Sequence, residues 1–131
     1  MVLAKPLSRI LYVDDDPSMR ELVRAALAGQ TDFSVVTCTS GFEALIIVGQ
    51  LRPDLILMDL AMPRLDGVQT LECLRAMEIG HHIPVVFLTA APSPFELRRL
   101  QAAGAADVVA LPFDPAELPR QIRAIWSRIS D

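Results

Sequence analysis

The sequence predicts an α/β fold, a parallel five-stranded sheet held between layers of helices. Three observations lead there. Five short apolar runs alternate with five stretches of helical patterning along the chain. Three of the runs are almost continuously apolar, as expected of strands covered on both faces. Residues that start and stop helices fall between them. The 131 residues, 52% apolar and 21% charged, suit one globular domain able to bury a real core.

The first strand is "RILYVD", residues 9–14, and it runs straight into three aspartates. "PSMRELVRAALAG" follows as a helix, with Pro17 suited to its first turn and Gly29 to its end. Met19, Leu22, Val23, Ala26 and Leu27 recur there at helical spacing. "FSVVTC" (33–38) is the second strand, and "SGFEALIIVGQL" the second helix. Ser40 and Glu43 open that helix in the pattern of a capping box. "DLILMD" (54–59) is the third strand and "GVQTLECLRAMEI" the third helix. "PVVFLT" (84–89), "SPFELRRLQAAG", "DVVAL" (107–111) and "DPAELPRQIRAIWSRIS" complete the alternation. Pro119 inside the last helical stretch delays its start or kinks it.

Open parallel sheets bind ligands beyond the carboxyl ends of their strands, where strand order reverses. Both "VDDD" and "LILMD" end strands in acids. In the order 2-1-3-4-5, strands one and three are neighbours across that reversal, so Asp14, Asp15 and Asp59 converge. Clustered carboxylates raise one another's pKa and call for a positive partner. A hard divalent cation such as Mg2+, which takes oxygen ligands, supplies it. A metal there screens an incoming phosphoryl group and leaves one carboxylate free to act as nucleophile. Asp16, just before Pro17, reads as a helix N-cap, and Asp66 before Gly67 as turn and cap.

Taken in order, "ILYVDDDPSMRELV", "PDLILMDLAMPRLDG", "VVFLTA" and "LPF" resemble the successive motifs of the receiver domain of two-component response regulators. The resemblance runs from about Arg9 to the C-terminal helix. It implies a flavodoxin-like (βα)5 three-layer sandwich with sheet order 2-1-3-4-5, residues 1–8 forming a tail and 9–131 the receiver. It implies that Asp59 accepts a phosphoryl group from a histidine kinase or phosphotransfer protein. It further implies that Asp14, Asp15, Asp59 and the backbone carbonyl of Ala61 hold Mg2+ (or Mn2+). The Thr89 hydroxyl and the Ala90 amide contact the phosphoryl oxygens by the same resemblance, and Leu111-Pro112 is a cis peptide bond. Such a domain is a phosphoacceptor rather than an enzyme, with at most intrinsic autodephosphorylation. It signals to a protein effector, or dimerises, through its fourth helix, fifth strand and fifth helix.

One departure stands out. The family places a lysine before the proline of "K-P-F", and this chain has Leu111 there. Eleven of its twelve basic residues are arginines, and the single lysine, Lys5, precedes the first strand. The position that usually holds a switching aromatic is Val108. Metal binding needs only the acids and is expected to persist, whereas a charged hydrogen bond of about 1.5–3 kcal/mol to the phosphoryl group is lost. The expected result is weak phosphorylation or atypical switching. Two alternatives are a degenerate receiver acting as a phosphorylation-independent interaction module, and a haloacid-dehalogenase-like phosphatase. The phosphatase would use Asp14 as nucleophile and Asp16 as general acid, but that class also needs a downstream lysine.

The net charge of −4 argues against a nucleic-acid surface. No apolar run approaches a membrane span and the first ten residues lack the apolar core of a signal peptide, so the expected location is cytoplasmic. Cys38 and Cys73 fit no metal or redox spacing and read as small hydrophobes. His81 and His82 are expected to point apart and to hold no metal. Arg98, Arg99, Arg120, Arg123 and Arg128 read as a solvated face. No helix-turn-helix or other output domain fits in the remaining residues, which suits either a stand-alone receiver or part of a longer regulator or kinase.

Overall fold

The computed structural model describes residues 5–30, 32–90 and 92–130, so residues 1–4 of the expected tail lie outside it. Five strands and five helices alternate: β1 (Arg9–Val13), α1 (Pro17–Ala28), β2 (Ser34–Cys38), α2 (Gly41–Leu51), β3 (Leu55–Asp59), α3 (Gly67–Ala76), β4 (Val85–Ala90), α4 (Pro94–Ala103), β5 (Asp107–Leu111) and α5 (Leu118–Ile129). All strand pairs are parallel, in the order β2-β1-β3-β4-β5. The fold class and strand order are those the sequence predicts.

Side-chain alternation along the strands builds two cores, one on each face of the sheet. Leu11, Val13, Ile56, Met58, Val85 and Phe87 face α2, α3 and α4, where Val48, Leu71, Leu74 and Leu100 meet them. Ile10, Tyr12, Leu55, Leu57, Val86 and Leu88 face α1 and α5, against Val23, Leu27, Leu118, Ile122 and Ile125. Each fully buried aliphatic side chain contributes about 1.5–3 kcal/mol relative to exposure. This double cover explains why β3 and β4 read as unbroken apolar runs.

Helix boundaries follow local chemistry. Asp16 caps α1 by accepting from the Ser18 amide. Gly29 closes α1 in an ordinary right-handed conformation, so its place there does not use the freedom peculiar to glycine. Ser40 accepts from the Glu43 amide as expected, but Glu43 turns to accept from the Thr39 hydroxyl instead of completing the box. Asp66–Gln69 and Ser93–Glu96 form complete boxes on α3 and α4. Gly104 ends α4 at φ 98°, where glycine is favoured.

Three expectations need correction. Leu22, assigned to the apolar face of α1, is 41% exposed, because Val23 and Leu27 already fill that face. The third helix ends at Ala76 rather than 79: Met77 adopts an extended backbone, and Arg75 catches the carbonyls of Gly80 and Ile83 in the turn beyond. The rings of His81 and His82 do not point apart but sit edge to face, 5.3 Å between centroids, since the segment is a turn and not extended chain. Pro119 delays α5, which starts at Leu118 with the proline in its first turn, where a missing N–H costs nothing. The Leu111-Pro112 bond is cis, as expected.

Cys38 is buried and Cys73 partly so, both unpaired, and burial pushes the Cys38 thiol up to about 12. The basic residues of α5 are partly engaged. Arg123 binds Asp32 and Gln30 and stacks over Phe33, Arg128 pairs with Asp107, and Arg120 with Glu117.

Candidate functional site

The site grows out of two strand ends. β1 extends by one ladder bond, Asp14 N–H to Cys38 carbonyl at 3.1 Å, so Asp14 leaves the sheet still in extended register. Asp14 is 3% exposed, and each of its carboxylate oxygens accepts one hydrogen bond. Oδ2 accepts from the Tyr12 hydroxyl at 2.5 Å, and Oδ1 accepts from the Asp16 amide at 2.9 Å. Arg20 donates to the Asp14 backbone carbonyl at 2.9 Å, and no hydrogen bond joins it to the carboxylates. Asp15 is exposed.

Asp59 is the last residue of β3. Alternation puts it on the face of Leu57, and Asp14 on the face of Tyr12; both of those belong to the core beneath α1 and α5. With β1 and β3 adjacent, the two acids emerge side by side. One carboxylate oxygen from each of Asp14, Asp15 and Asp59 lies within 4.8 Å of the others. The expected convergence is therefore present. Burial, then the negative charges of Asp14 and Asp15, push the Asp59 carboxyl from 3.8 up to about 6, against the opposing pull of the Ala61 and Leu60 amides. A cluster of hard oxygens that raises its own cost of ionisation is chemically suited to a divalent cation of the Mg2+ type.

Gly67 is what lets α3 approach this corner. Its amide donates to the Leu60 carbonyl at 2.9 Å. A Cβ there would stand 2.7 Å from both the Asp59 carbonyl oxygen and Phe87, and 3.0 Å from the Leu60 Cα. The "DG" of the sequence thus reads as a cap and a close backbone approach at once.

On the other side, β4 pairs with β3 so that Leu88 is opposite Asp59; Thr89 and Ala90 follow at the strand end. β5 brings Leu111 opposite Ala90. Leu111 shares the face of Val109, hence that of Asp59, and packs against the α1/α5 core. With Met19, Leu22, Ala90, Pro112 and Phe113 it lines an apolar recess of about 330 Å³. Lys5 is at the opposite end of the sheet. Its Nζ pairs at 2.7 Å with Asp54, which precedes β3 and also accepts from the Ser8 and Arg9 amides.

The phosphatase alternative does not fit this geometry. Asp16, which that alternative needs as a general acid, instead uses Oδ1 to cap α1. Sequence reasoning missed Tyr12. Its signal was present, since a residue two before Asp14 on a strand shares its face.

Comparison with known proteins gives a consistent picture. Residues 10–123 match the family model described as the response regulator receiver domain. The chain is 39% identical over 123 residues to the DNA-binding response regulator MtrA of Mycolicibacterium smegmatis, covering 94% of this chain and 52% of the relative. It is also 39% identical over 122 residues to response regulator MprA of a Mycobacterium species, covering 93% and 52%. The chain spans about half the length of these relatives. Among solved structures, chemotaxis protein CheY4 of Vibrio cholerae superposes with a TM-score of 0.84 at 28% identity, over 92% of this chain and 99% of that one. The signal receiver domain of a signal transduction histidine kinase from Syntrophus aciditrophicus gives 0.80 at 29%, over 93% and 92%.

Proposed function

The chain belongs to the response regulator receiver domain family, and from that footing we propose that Asp59 is its phosphoacceptor and that Asp14, Asp15, Asp59 and the Ala61 carbonyl hold Mg2+ or Mn2+. The observation that carries the proposal is the gathering of the three carboxylates at the ends of β1 and β3. Burial and the neighbouring Asp14 and Asp15 raise the Asp59 acid, and a bound cation would offset that cost and favour the ionised, nucleophilic carboxylate. A carboxylate oxygen of Asp59 bonds to phosphorus as the phosphorus–nitrogen bond of a phosphohistidine breaks, the electron pair leaving with the imidazole nitrogen. The metal, when bound, supplies charge neutralisation for the transferring group. The Thr89 hydroxyl and the Ala90 amide, at the end of the adjoining strand, donate to the phosphoryl oxygens.

Receiver domains are generally phosphoacceptors rather than enzymes, and intrinsic autodephosphorylation is the most activity proposed for this one. The donor is a histidine kinase or phosphotransfer protein, and the setting the cytoplasm. Residues 9–131 form the signalling unit, and α4, β5 and α5 carry the output to a protein effector or a second copy. Among the described residues no helix is long and apolar enough to cross a membrane.

Leu111 favours a second reading, in which the pocket binds metal but is barely phosphorylated and the domain works as a constitutive binding module. The two readings separate in one experiment. A phosphorylated histidine kinase domain in Mg2+ should pass one phosphoryl group to the chain and none to Asp59→Asn. Leu111→Lys should raise the rate of labelling about ten- to a hundredfold, matching a charged hydrogen bond of about 1.5–3 kcal/mol. No labelling of either the unaltered chain or Leu111→Lys, with metal binding intact, would leave the module reading.

A further inference from the structure

We propose that Tyr12 is a positioning residue for the metal-binding carboxylates, its buried hydroxyl fixing Asp14 in the orientation that faces Asp15 and Asp59. This rests on the reading of the three acids as a metal site and adds a residue to it.

Three observations carry the inference. Tyr12 is the chain's single tyrosine and is wholly buried among apolar residues. A phenol there without a partner would cost about 1–3 kcal/mol, so its position is set by the acceptor it finds. That acceptor is Asp14 Oδ2, at 2.5 Å. Second, among the described residues the Tyr12 hydroxyl is the only side-chain donor to any of the three carboxylates; the remaining donors are backbone amides. The nearby cation, Arg20, spends its contact on the Asp14 carbonyl, Lys5 is at the far end of the sheet, and Leu111 offers no donor. Third, the geometry leaves the ligand set open. Oδ1 and Oδ2 of Asp14 each accept one protein donor, which leaves each a lone pair for a cation.

The pair therefore works as a rigid support. The phenol O–H donates and Asp14 Oδ2 accepts, so the two side chains are held by one bond. Because Tyr12 is clamped in the core and Asp14 is clamped between Tyr12 and the Asp16 amide, Asp14 is not free to turn away from its like-charged neighbours. Outer hydrogen bonds of this kind orient metal ligands, and losing them typically weakens metal affinity ten- to a hundredfold.

The test is calorimetric titration of the full chain with Mg2+, alongside Tyr12→Phe, which keeps the ring and its packing, and Asp15→Asn as a direct-ligand control. The expected result is at least tenfold weaker Mg2+ binding by Tyr12→Phe, with folding retained by circular dichroism. In the unaltered chain Mg2+ should also perturb the near-ultraviolet spectrum of the single tyrosine, a signal that Asp15→Asn suppresses. Equal affinity of Tyr12→Phe and the unaltered chain would overturn the positioning role while leaving the metal site standing. Absence of Mg2+ binding by the unaltered chain would overturn the site itself and this role with it. If Tyr12→Phe unfolds, the tyrosine signal decides: no response to saturating Mg2+ in the unaltered chain overturns the role.

Discussion

Replacing Asp59 by asparagine should make the metal-free protein more stable at neutral pH, although it removes the residue proposed to do the chemistry. In the folded chain the Asp59 carboxyl rises from 3.8 to about 6, chiefly through burial and next through Asp14 and Asp15. A shift of about 2 units corresponds to about 3 kcal/mol at full strength. Solvent reaches half-buried Asp59 and the exposed Asp15, and screening reduces the figure to roughly 1–2 kcal/mol. The sign follows from linkage. Below pH 3.8 folded and unfolded chains both carry the proton, and Asp59 costs nothing. As pH rises from about 4 to 6 the unfolded chain releases it first, so stability declines and stays lower above 6. Asp59→Asn should therefore gain about 3–8 °C in Tm at pH 7.5 in chelator, and nothing near pH 4. Saturating Mg2+ should erase or invert the gain, because only the unaltered chain keeps all three ligands. Thermal melts at both pH values, with chelator and with Mg2+, measure this. A loss of stability on Asp59→Asn at pH 7.5 in chelator, or a gain independent of pH, would refute the electrostatic account of the cluster.

Two further outcomes follow from neighbouring geometry. Gly67→Ala places a Cβ within 2.7 Å of the Asp59 carbonyl oxygen, so it should cost about 1–3 kcal/mol in denaturant melts and also weaken Mg2+ binding by shifting the Asp59 loop. At the far end of the sheet, desolvation raises the Asp54 acid, but Lys5 and the Ser8 and Arg9 amides outweigh it and hold the carboxyl below its ordinary value. Asp54→Ala strands those amides and should cost about 2–3 kcal/mol. It should also alter Trp126 emission, because the Trp126 indole donates to the Lys5 carbonyl at 2.7 Å, while leaving Mg2+ affinity unchanged. The Asp54 contribution is present above its unfolded pKa and is lost as pH falls through the depressed folded value.

The fold was legible because its signals are local and repeat. Apolar runs covered on both faces, Pro17 at a helix start and the Asp66 cap all act within a few residues, and strand alternation carried Asp14 and Asp59 to one face. The departures arise where tertiary partners decide. Arg75 ends α3 early by reaching across a turn, Leu22 is left exposed because its neighbours suffice, and the histidine rings meet because their segment curls. The site was legible as a set of acids and illegible as a network. Tyr12 looked like one more apolar strand residue, and only the folded chain puts its hydroxyl on a carboxylate. The far placement of Lys5 depends on Asp54, a partner 49 residues away that no local pattern announces.

The central claim, an acid cup at the ends of β1 and β3 that presents Asp59 to phosphorus, is tested most directly by intact-mass spectrometry after incubation with acetyl phosphate. The account predicts one added phosphoryl group in Mg2+, on the peptide containing Asp59, with none in chelator and none on Asp59→Asn. A group added without metal, or retained by Asp59→Asn, would contradict it.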